Sequence, residues 1–433
     1  MERVLELALK AAKEAELYEV STEETQVRFE ANRLKQLQTN QSTSTALRII
    51  KDGKTGYATA SGAYDLAKLV DSAVETAAFG AEAKFELPDK VIYPKVAIND
   101  PAVSAVPIKD MVAIGEAIID AVTKNTPGII CEGGANRGTV TLKIVNSRGG
   151  KAEYKKTFFG IGMEGTLVEG TDMLFVGESE SSCHPVADPS NVIKTMVRQL
   201  DLAKNKAKAP TKEMPVIFTP DGVMALVIPL MSAFNGKTVL EGASPLKDKT
   251  GEMMFDKRFS LTDDPTIAFQ TGSRPCDDEG VPSRKTPLIQ NGMVKEFYYD
   301  LQTAALAGKK STGNGGRGRG GLPSPSPSAF VIAPGDTTFD DMVKNIEEGL
   351  LVEQLMGAEQ GNLLAGDFSG NVLLGYKIEN GKIVGRVKDT MVAGNVYKIL
   401  KDIAAIGSES KWVGGFLSTP HICGKGLAVS GKG

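Results

Sequence analysis

The sequence predicts an α+β protein with two domains, an N-terminal domain of helices and strands and a C-terminal domain rich in mixed or antiparallel sheet. The chain has 433 residues, which is more than a single hydrophobic core usually organises. Helical and strand patterns alternate in the first half, whereas apolar clusters separated by Gly and Asn-Gly dominate from residue 349 onward. We place the domain boundary near residue 210, within the basic linker Lys204–Lys212, so the predicted domains are 1–210 and 211–433.

The N-terminal half carries the same order of predicted elements twice. Apolar residues at helical spacing, with acidic residues early and lysines later, predict an amphipathic helix over residues 1–16. The elements that follow are strands between 17 and 60 with a turn at Asp52-Gly53, a helix over 63–82, a helix over 108–124, strands at 139–146, 153–164 and 166–176, and a helix over 190–207. Helix, strands and helix thus occur in two rounds, which is the pattern of an internally duplicated domain.

The C-terminal half is predicted to consist of strands with a few helices between them. A helix over 221–234 has Asp221 as a candidate N-cap, and Pro229 should bend it or end it early. The other predicted elements are strands at 257–262, 266–270 and 329–333, a hairpin at 285–299 that turns at Asn291-Gly292, helices at 300–308, 338–348 and 396–406, and a Gly-rich tail from Gly414 to Gly433.

The Asn380-Gly381 pair predicts a second hairpin within the sheet of 349–395. Strand alternation then directs four apolar side chains to one face and leaves the polar Lys377, Glu379 and Lys382 for the other face. The apolar set consists of Tyr376, Ile378, Ile383 and Val387.

Composition excludes several classes of function. Apolar residues make up 41% and charged residues 24% of the chain, as in ordinary soluble proteins. The net charge of -3 and the isoelectric point near 5.8 give no field that would attract nucleic acid. The four cysteines lie far apart without a CxxC pair, which fits a reducing compartment. Because no apolar run approaches the roughly 18–20 residues of a membrane span and no signal peptide is recognisable, we expect a cytoplasmic protein that does not bind membranes.

Glycine-rich motifs argue against a nucleotide cofactor and indicate a loop. The two G-x-G-x-x-G matches, at 160–165 and 313–318, lack the following helix whose N-terminus would bind a pyrophosphate. The stretch Gly313–Ser328 mixes arginines with glycines and prolines, which is typical of a loop over a cleft. Its backbone amides and arginines could bind an extended peptide or a carboxylate. The candidate peptide-binding residues are therefore Gly313, Asn314, Arg317 and Arg319.

The two histidines do not form a recognisable metal or nucleophile motif. A zinc-protease helix needs two His on one face and a Glu as general base, and neither His184 nor His421 has such neighbours. A composite site from Cys183 or His184 with His421 and Cys423 stays open on residue type alone. The sequence therefore predicts no catalytic residue and no cofactor, and Cys423 and His421 are the weak candidates for a metal site.

A family resemblance rests on a series of motifs in a fixed order. In chain order these are Asp278–Arg284 (DEGVPSR), Leu288–Met293 (LIQNGM), Ser311–Asn314 (STGN), Leu355–Gly357 (LMG), Gly366–Gly370 (GDFSG), Glu379–Ile383 (ENGKI), Ala393–Asn395 (AGN), Gly407 and Cys423-Gly424. The sequence thereby resembles the TldD/PmbA family, whose members were formerly called modulators of DNA gyrase. The resemblance is carried by residues 215–425, and the N-terminal α+β half is compatible with it.

This resemblance implies a role in the proteolysis of unfolded or leader peptides. In the catalytic subunit, which is similar to TldD, a helix of the C-terminal domain carries HExxxH and a Cys near the C-terminus completes the zinc site. On this sequence that helix corresponds to 221–234, where the motif window Ile228–Ala233 reads IPLMSA, and Cys423 matches the expected ligand position. The chain therefore resembles the PmbA/TldE branch, which lacks the metal motif.

The PmbA/TldE resemblance also implies partners. We expect a non-catalytic subunit of a cytoplasmic metalloprotease, which is a homodimer when alone, pairs with a TldD-like HExxxH protein and binds an extended peptide at a sheet edge. Two alternatives stay open. One is an autonomous peptidase with an unconventional zinc site at Cys423 and His421, and the other is a homodimeric binding or scaffold protein without a proteolytic role.

Overall fold

The computed structural model describes residues 1–318 and 321–431, which form two large β-sheets with helices packed on them. The N-terminal elements are α1 (Glu2–Leu9), β1 (Glu14–Glu30), β2 (Arg33–Lys51), β3 (Lys54–Ser61), α2 (Leu66–Ala77), α3 (Ala102–Ala105), α4 (Ile108–Asn125), β4 (Ile130–Asn146), β5 (Lys151–Glu169), β6 (Asp172–Ser182) and α5 (Ser190–Ala203). The chain passes from the first sheet to the second between Ser182 and Lys206. None of the described helices is long and apolar enough to cross a membrane.

The first sheet is antiparallel, with the strand order β3-β2-β1-β4-β5-β6. Strands β1 and β4 lie side by side at its centre, and each begins a run of three strands that ends in a helix. The order of helix, three strands and helix therefore occurs twice, as the sequence pattern predicts. Helix α1 ends at Leu9, earlier than predicted, because Glu14 already pairs with Ile50 in the sheet.

Alternation along β1 assigns the two faces of the first sheet. Leu17 is buried against α1 and α2, and Val27, ten residues further along, is buried with α4. Glu16 and Tyr18 flank Leu17 and therefore point to the opposite face, where Tyr18 packs with Cys276 of the C-terminal half. One face of this sheet is thus covered by helices and the other is turned toward C-terminal loops.

The C-terminal half forms a mixed sheet of twelve strands, which confirms the predicted α+β class. Its elements are β7 (Lys206–Ala207), β8 (Lys212–Phe218), α6 (Met224–Phe234), α7 (Gly236–Leu240), β9 (Leu261–Asp263), β10 (Thr286–Gln290), β11 (Met293–Val294), α8 (Leu301–Leu306), β12 (Gly315–Gly316), β13 (Ser324–Pro325), β14 (Phe330–Ile332), α9 (Phe339–Lys344), β15 (Glu348–Met356), a 3-10 turn (Ala358–Gln360), β16 (Asp367–Glu379), β17 (Lys382–Val387), β18 (Thr390–Asn395), α10 (Val396–Lys401), β19 (Ile403–Val413) and β20 (Leu417–Gly431). Strands β12 and β13 form a separate ribbon.

Five strands of the second sheet close into a ring of pairings. Strand β20 pairs with β8, β8 with β15, β15 with β16, β16 with β18, and β18 returns to β20. Phe218, Leu350, Phe368 and Val392 belong to the apolar core that this ring shares with α6 and α10. The closed ring gives the C-terminal domain a core of its own.

The Gly-rich tail predicted from Gly414 is instead the long strand β20, which pairs with β8, β14, β18 and β19. Leu427 and Val429 alternate with small residues and are buried. The alternation of buried and exposed residues that marks a strand is therefore present despite the many glycines. The helix predicted over 396–406 is likewise shorter, because Ile403 starts β19 and pairs with Gly424.

Two smaller predictions about the C-terminal half are also corrected. Helix α6 begins at Met224 after Val223, so Asp221 does not cap it, and Pro229 lies inside the helix without ending it. No strand forms at 266–270. The Asn380-Gly381 hairpin is confirmed, with both residues at positive φ (50° and 71°) between β16 and β17.

A bulge in that hairpin reverses the predicted orientation of one residue. Ile378 pairs with Ile383, whereas the preceding Lys377 pairs with Gly385, so β17 contains one extra residue at this point. Beyond the bulge the alternation shifts by one. Tyr376, Ile378 and Ile383 face the core between the domains, but Val387 faces the other core.

The two halves share an apolar core on the face of the second sheet opposite α6. Helices α4 and α5 supply one side of it, and Ile217, Leu351 and Tyr376 supply the other. The hydroxyl of Tyr376 donates to the backbone oxygen of Gln199 in α5 at 2.9 Å. Helix α5 is therefore packed between the two sheets.

Four buried charges join the halves at a second place. Arg48 of β2 donates to Glu16 of β1 at 3.0 Å and to Glu279 of a C-terminal loop at 2.6 Å, and Arg317 pairs with the other oxygen of Glu16. None of the four side chains is more than 3% exposed. The loop of residues 277–279 and the segment near Arg317 are thus fixed to the first sheet by charge pairing.

We predict that Arg48→Leu lowers the free energy of unfolding by about 3–5 kcal/mol, because it leaves the buried Glu279 without a cation and Glu16 with Arg317 alone. Arg148→Leu is the matched control, since Arg148 pairs with the exposed Glu86 and Asp89 and its loss should have a much smaller effect. Urea unfolding monitored by circular dichroism measures both. Equal losses for the two variants would contradict a structural role of the buried charges.

Candidate functional site

A cleft of about 470 Å³ lies where the first sheet meets the second. Its N-terminal wall comes from the start of β4, the second half of β5 and the middle of β6, and its C-terminal wall includes Asp221, Gln354 and Leu373. Four glycines contribute backbone to the N-terminal wall. They are Gly133, Gly162, Gly165 and Gly177. We call this space the interdomain cleft.

An ion triad joins the two walls of the interdomain cleft. Lys411 of β19 donates to Glu178 of β6 at 2.5 Å and to Asp221 at 3.1 Å. Burial raises the pKa of Glu178 above its usual value, although Lys411 opposes this shift. Burial alone would lower the pKa of Lys411, but Asp221 and Glu178 outweigh it and raise that pKa. The lysine therefore stays charged and connects an N-terminal strand to the loop before α6.

His421 of β20 is close to this triad and is held neutral. Its ring packs against Phe339, with 4.7 Å between the ring centroids. Burial lowers the pKa of His421 to about 4, and the positive charges of Arg198 and Lys411 act in the same direction, whereas Asp221 opposes them. Arg198 itself pairs with the buried Glu353 at 2.5 Å. At neutral pH the imidazole is an uncharged group among fixed ion pairs.

The composite Cys/His site that the sequence left open does not form. His184 accepts or donates a hydrogen bond with Asp100 at 2.6 Å and stacks on Phe269 at 3.5 Å, with half of its side chain exposed. Cys183 is buried beside Lys156 and Thr157, and Cys423 lies in the core between the domains. Within residues 1–318 and 321–431 no group of three or more His, Cys, Asp or Glu side chains is arranged to bind a metal.

The residues at the positions of a zinc site do not fit zinc. Helix α6 is apolar, and Leu226, Val227, Leu230 and Phe234 pack into the core of the closed ring. Cys423 pairs with Ile217 and points into the core on the opposite face of the sheet, where burial raises the pKa of its thiol to about 12. Cys423 and α6 therefore supply no common donor set, since a catalytic zinc needs three protein ligands around one point.

The predicted peptide-binding loop is instead packed into the protein. The amide of Asn314 is buried and donates to Asp263 at 2.5 Å and to the backbone oxygen of Ser326 at 3.0 Å. Arg317 is buried against Glu16 and Tyr18, so neither side chain is free for a peptide, which corrects their predicted role. Gly313 has a φ of 76° and lies directly against Pro282, and Arg319 lies outside the described residues.

Sequence reasoning missed both the interdomain cleft and the partners of Arg317. Glu16 and Arg317 are 301 residues apart, and Glu178 and Lys411 are 233 residues apart. The one available signal was the run Asp277-Asp278-Glu279, which needs cations nearby if it is buried.

Comparison with known proteins assigns the family. Residues 211–431 match the PmbA/TldA metallopeptidase C-terminal domain, and residues 15–77 match the PmbA/TldA metallopeptidase domain 1. The fold of two joined α+β halves and the match over half of the chain define a member of the PmbA/TldD family, to which this chain belongs.

Three relatives illustrate the range of similarity. An uncharacterized protein of Methanocaldococcus jannaschii is 28% identical over 99% of this chain and 100% of its own length. The metalloprotease TldD homolog of Buchnera aphidicola is 33% identical, but the match covers 44% of this chain and 38% of that protein. The crystal structure of TldE from Thermococcus kodakarensis superposes with a TM-score of 0.91 over 100% of both chains at 24% identity, which shows the same fold.

We predict that protonation of His421 destabilises the protein in acid. The folded pKa of about 4 lies below the usual 6.5, so the unfolded chain binds the proton more tightly between these values and stability falls as pH falls. The contribution lost between pH 7 and pH 4 should be about 2–3 kcal/mol. Urea unfolding at both pH values should show a smaller loss for His421→Asn than for the wild type. An identical loss in both proteins would mean that the histidine does not titrate as described.

Proposed function

We propose that this chain is the non-catalytic, PmbA/TldE-type subunit of a two-component metalloprotease that acts on unfolded or leader peptides. The observation that carries the proposal is the position of Cys423, which faces away from an apolar α6 across the sheet. Family membership supplies the link to proteolysis, and because residues 1–318 and 321–431 contain no arranged set of zinc donors, we assign the metal to a partner in this proposal. The chain's own residues then bind and orient the peptide.

The interdomain cleft is the place that we assign to the peptide. Its four glycines carry no side chains, so a peptide can approach this wall closely. Its charged lining comprises one arginine and four carboxylates, and Lys411 occupies two of the carboxylates. Such a wall favours a basic segment or a free amino terminus. The lining acids are Glu132, Glu164, Glu178 and Asp221.

The peptide does not extend the first sheet at the middle of β6 in this proposal. Gly177 donates from its backbone N–H to the side-chain oxygen of Gln199 at 3.0 Å, and Gln199 donates back to the Gly177 oxygen at 3.3 Å. The side chain of α5 thus occupies the hydrogen-bonding groups that an added strand would need. A peptide in the cleft would cross these strands without pairing with β6.

An autonomous peptidase is the less suitable alternative. Such an enzyme needs a thiolate or a metal at Cys423, but its thiol is buried with a raised pKa and faces an apolar core. A purely structural homodimer remains the alternative that the reconstitution experiment below would detect.

We predict that the purified chain holds less than about 0.1 zinc per protomer and does not cleave unfolded peptides alone. Cleavage should appear when an HExxxH-bearing relative from the same organism is added, because that protein would supply the metal and the general base. Elemental analysis and a casein or leader-peptide assay measure the two outcomes. The control partner carries Gln in place of the Glu of its HExxxH.

Stoichiometric zinc in the chain alone, lost in Cys423→Ala, would overturn the proposal in favour of the autonomous enzyme. Failure to associate with the relative, with a stable homodimer by light scattering, would favour the scaffold protein. Zinc in the active pair should be unchanged by Cys423→Ala, because that thiol is not a ligand.

We also predict that Leu373→Asp lowers kcat/KM of the reconstituted pair by about tenfold or more. Leu373 lines the interdomain cleft, and a carboxylate there would remove apolar contact with the peptide. Met391→Asp is the matched control, because Met391 is 41% exposed on β18 and does not line the cleft. An equal effect of both substitutions, or none of either, would place the peptide elsewhere. Thermal unfolding of both variants verifies that they fold.

A further inference from the structure

A second cavity of about 530 Å³ lies on the face of the first sheet that is turned away from its helices. Its floor consists of side chains from β1, β4 and β5, and its rim consists of the C-terminal segments 271–278 and 327–328. It shares no lining residue with the interdomain cleft. We call this space the sheet-face cavity.

One wall of the sheet-face cavity is aromatic and apolar. Tyr18, Tyr154 and Phe158 provide rings, and Val20 and Leu142 lie between them. Tyr18 and Tyr154 belong to the small apolar cluster around Ile144. An apolar or planar body of a small molecule would bury its surface against this wall at a favourable free energy.

Two cations lie on the same cavity. Lys156 of β5 donates to the backbone oxygens of Thr271 and Ser273, the latter at 3.0 Å, and burial lowers its pKa to about 8. Arg274 donates from Nη2 to Ser328 Oγ at 3.0 Å. Its Nε is buried without any partner among the described residues. A buried guanidinium with unused donors is a costly arrangement unless an anion compensates it.

The one carboxylate of the cavity lining makes no hydrogen bond to Arg274. Asp278 accepts from the backbone N–H of Arg317 at 2.8 Å, and its other oxygen lies 3.8 Å from Arg274 Nη1, which is beyond hydrogen-bond length. Among the lining residues, Lys156 and Arg274 thus face one carboxylate, while Asp277 and Asp263 outside the lining also act on Arg274 and help to raise its pKa. The lining retains a net positive charge next to an aromatic wall.

We propose that the sheet-face cavity binds the carboxylate of a small molecule with an apolar or aromatic body, such as the C-terminal residue of a peptide. Arg274 and Lys156 would pair with the carboxylate, and Tyr154 and Phe158 would contact the body. A guanidinium binds a carboxylate through parallel N–H groups, which gives the site its preference for that anion. This binding is independent of proteolysis and does not rest on the function proposed above.

Calorimetric titration of the full-length chain tests this binding with N-acetyl-L-phenylalanine as the probe and N-acetyl-L-phenylalaninamide as its neutral match. We expect a Kd on the order of 0.1–1 mM for the acid, which is within the range that a ligand of this size can reach. The amide should bind at least tenfold more weakly. Sodium acetate should also bind at least tenfold more weakly, because it lacks the aromatic body. Equal affinities for acid and amide, equal affinities for acid and acetate, or no binding below about 10 mM would each overturn the proposal.

Two variants locate the site. Lys156→Gln should weaken binding of the acid by about tenfold, and Phe158→Ala should weaken it without changing the affinity for acetate. Lys194→Gln is the control, because Lys194 is an exposed lysine of α5 outside the cavity. Unchanged affinity in both variants would place the carboxylate elsewhere and contradict the proposal. Because the comparison of acid, amide and acetate uses the wild type, it decides the chemistry even if a variant fails to fold.

Discussion

The arrangement of this protein depends on four charges buried between its halves. Glu16, Arg48, Glu279 and Arg317 are nearly inaccessible to solvent, and each is paired with at least one opposite charge across the domain boundary. An ion in the interior is costly unless its partners are correctly placed, so separation of the halves would have to hydrate all four groups together. This requirement fixes the C-terminal loops on the first sheet. Both cavities described above lie where the first sheet meets the C-terminal half.

Two cores on opposite faces of the second sheet separate Cys423 from helix α6. The second sheet has one face on α6 and the other on α4 and α5, and adjacent residues of β20 point to different cores. Ile422 faces α6, whereas Cys423 faces the N-terminal helices. An apolar α6 then contributes to stability through packing alone.

The charged groups of the interdomain cleft connect the two halves and also determine the charge of the cleft. Lys411 joins Glu178 and Asp221 across the two halves, so the same ion pairs that hold the walls together also set the charge that a peptide would meet. His421 stays neutral within this environment because burial lowers its pKa and the two nearby cations lower it further. Polar groups with such dual roles are expected where a ligand site is built at a domain junction.

The sequence by itself determined the class, the family and most elements, because periodicity, Asn-Gly turns and ordered motifs are local signals. It determined the turn at Asn380-Gly381 and the two rounds of helix and strands in the N-terminal half. Only the tertiary structure decided that the Gly-rich end is the central strand β20, that Val387 faces the other core after a bulge, and that Arg317 is buried against Glu16. These outcomes depend on pairings between residues that are far apart in the chain. The sequence around a charged residue or a glycine does not specify which distant residue it will contact.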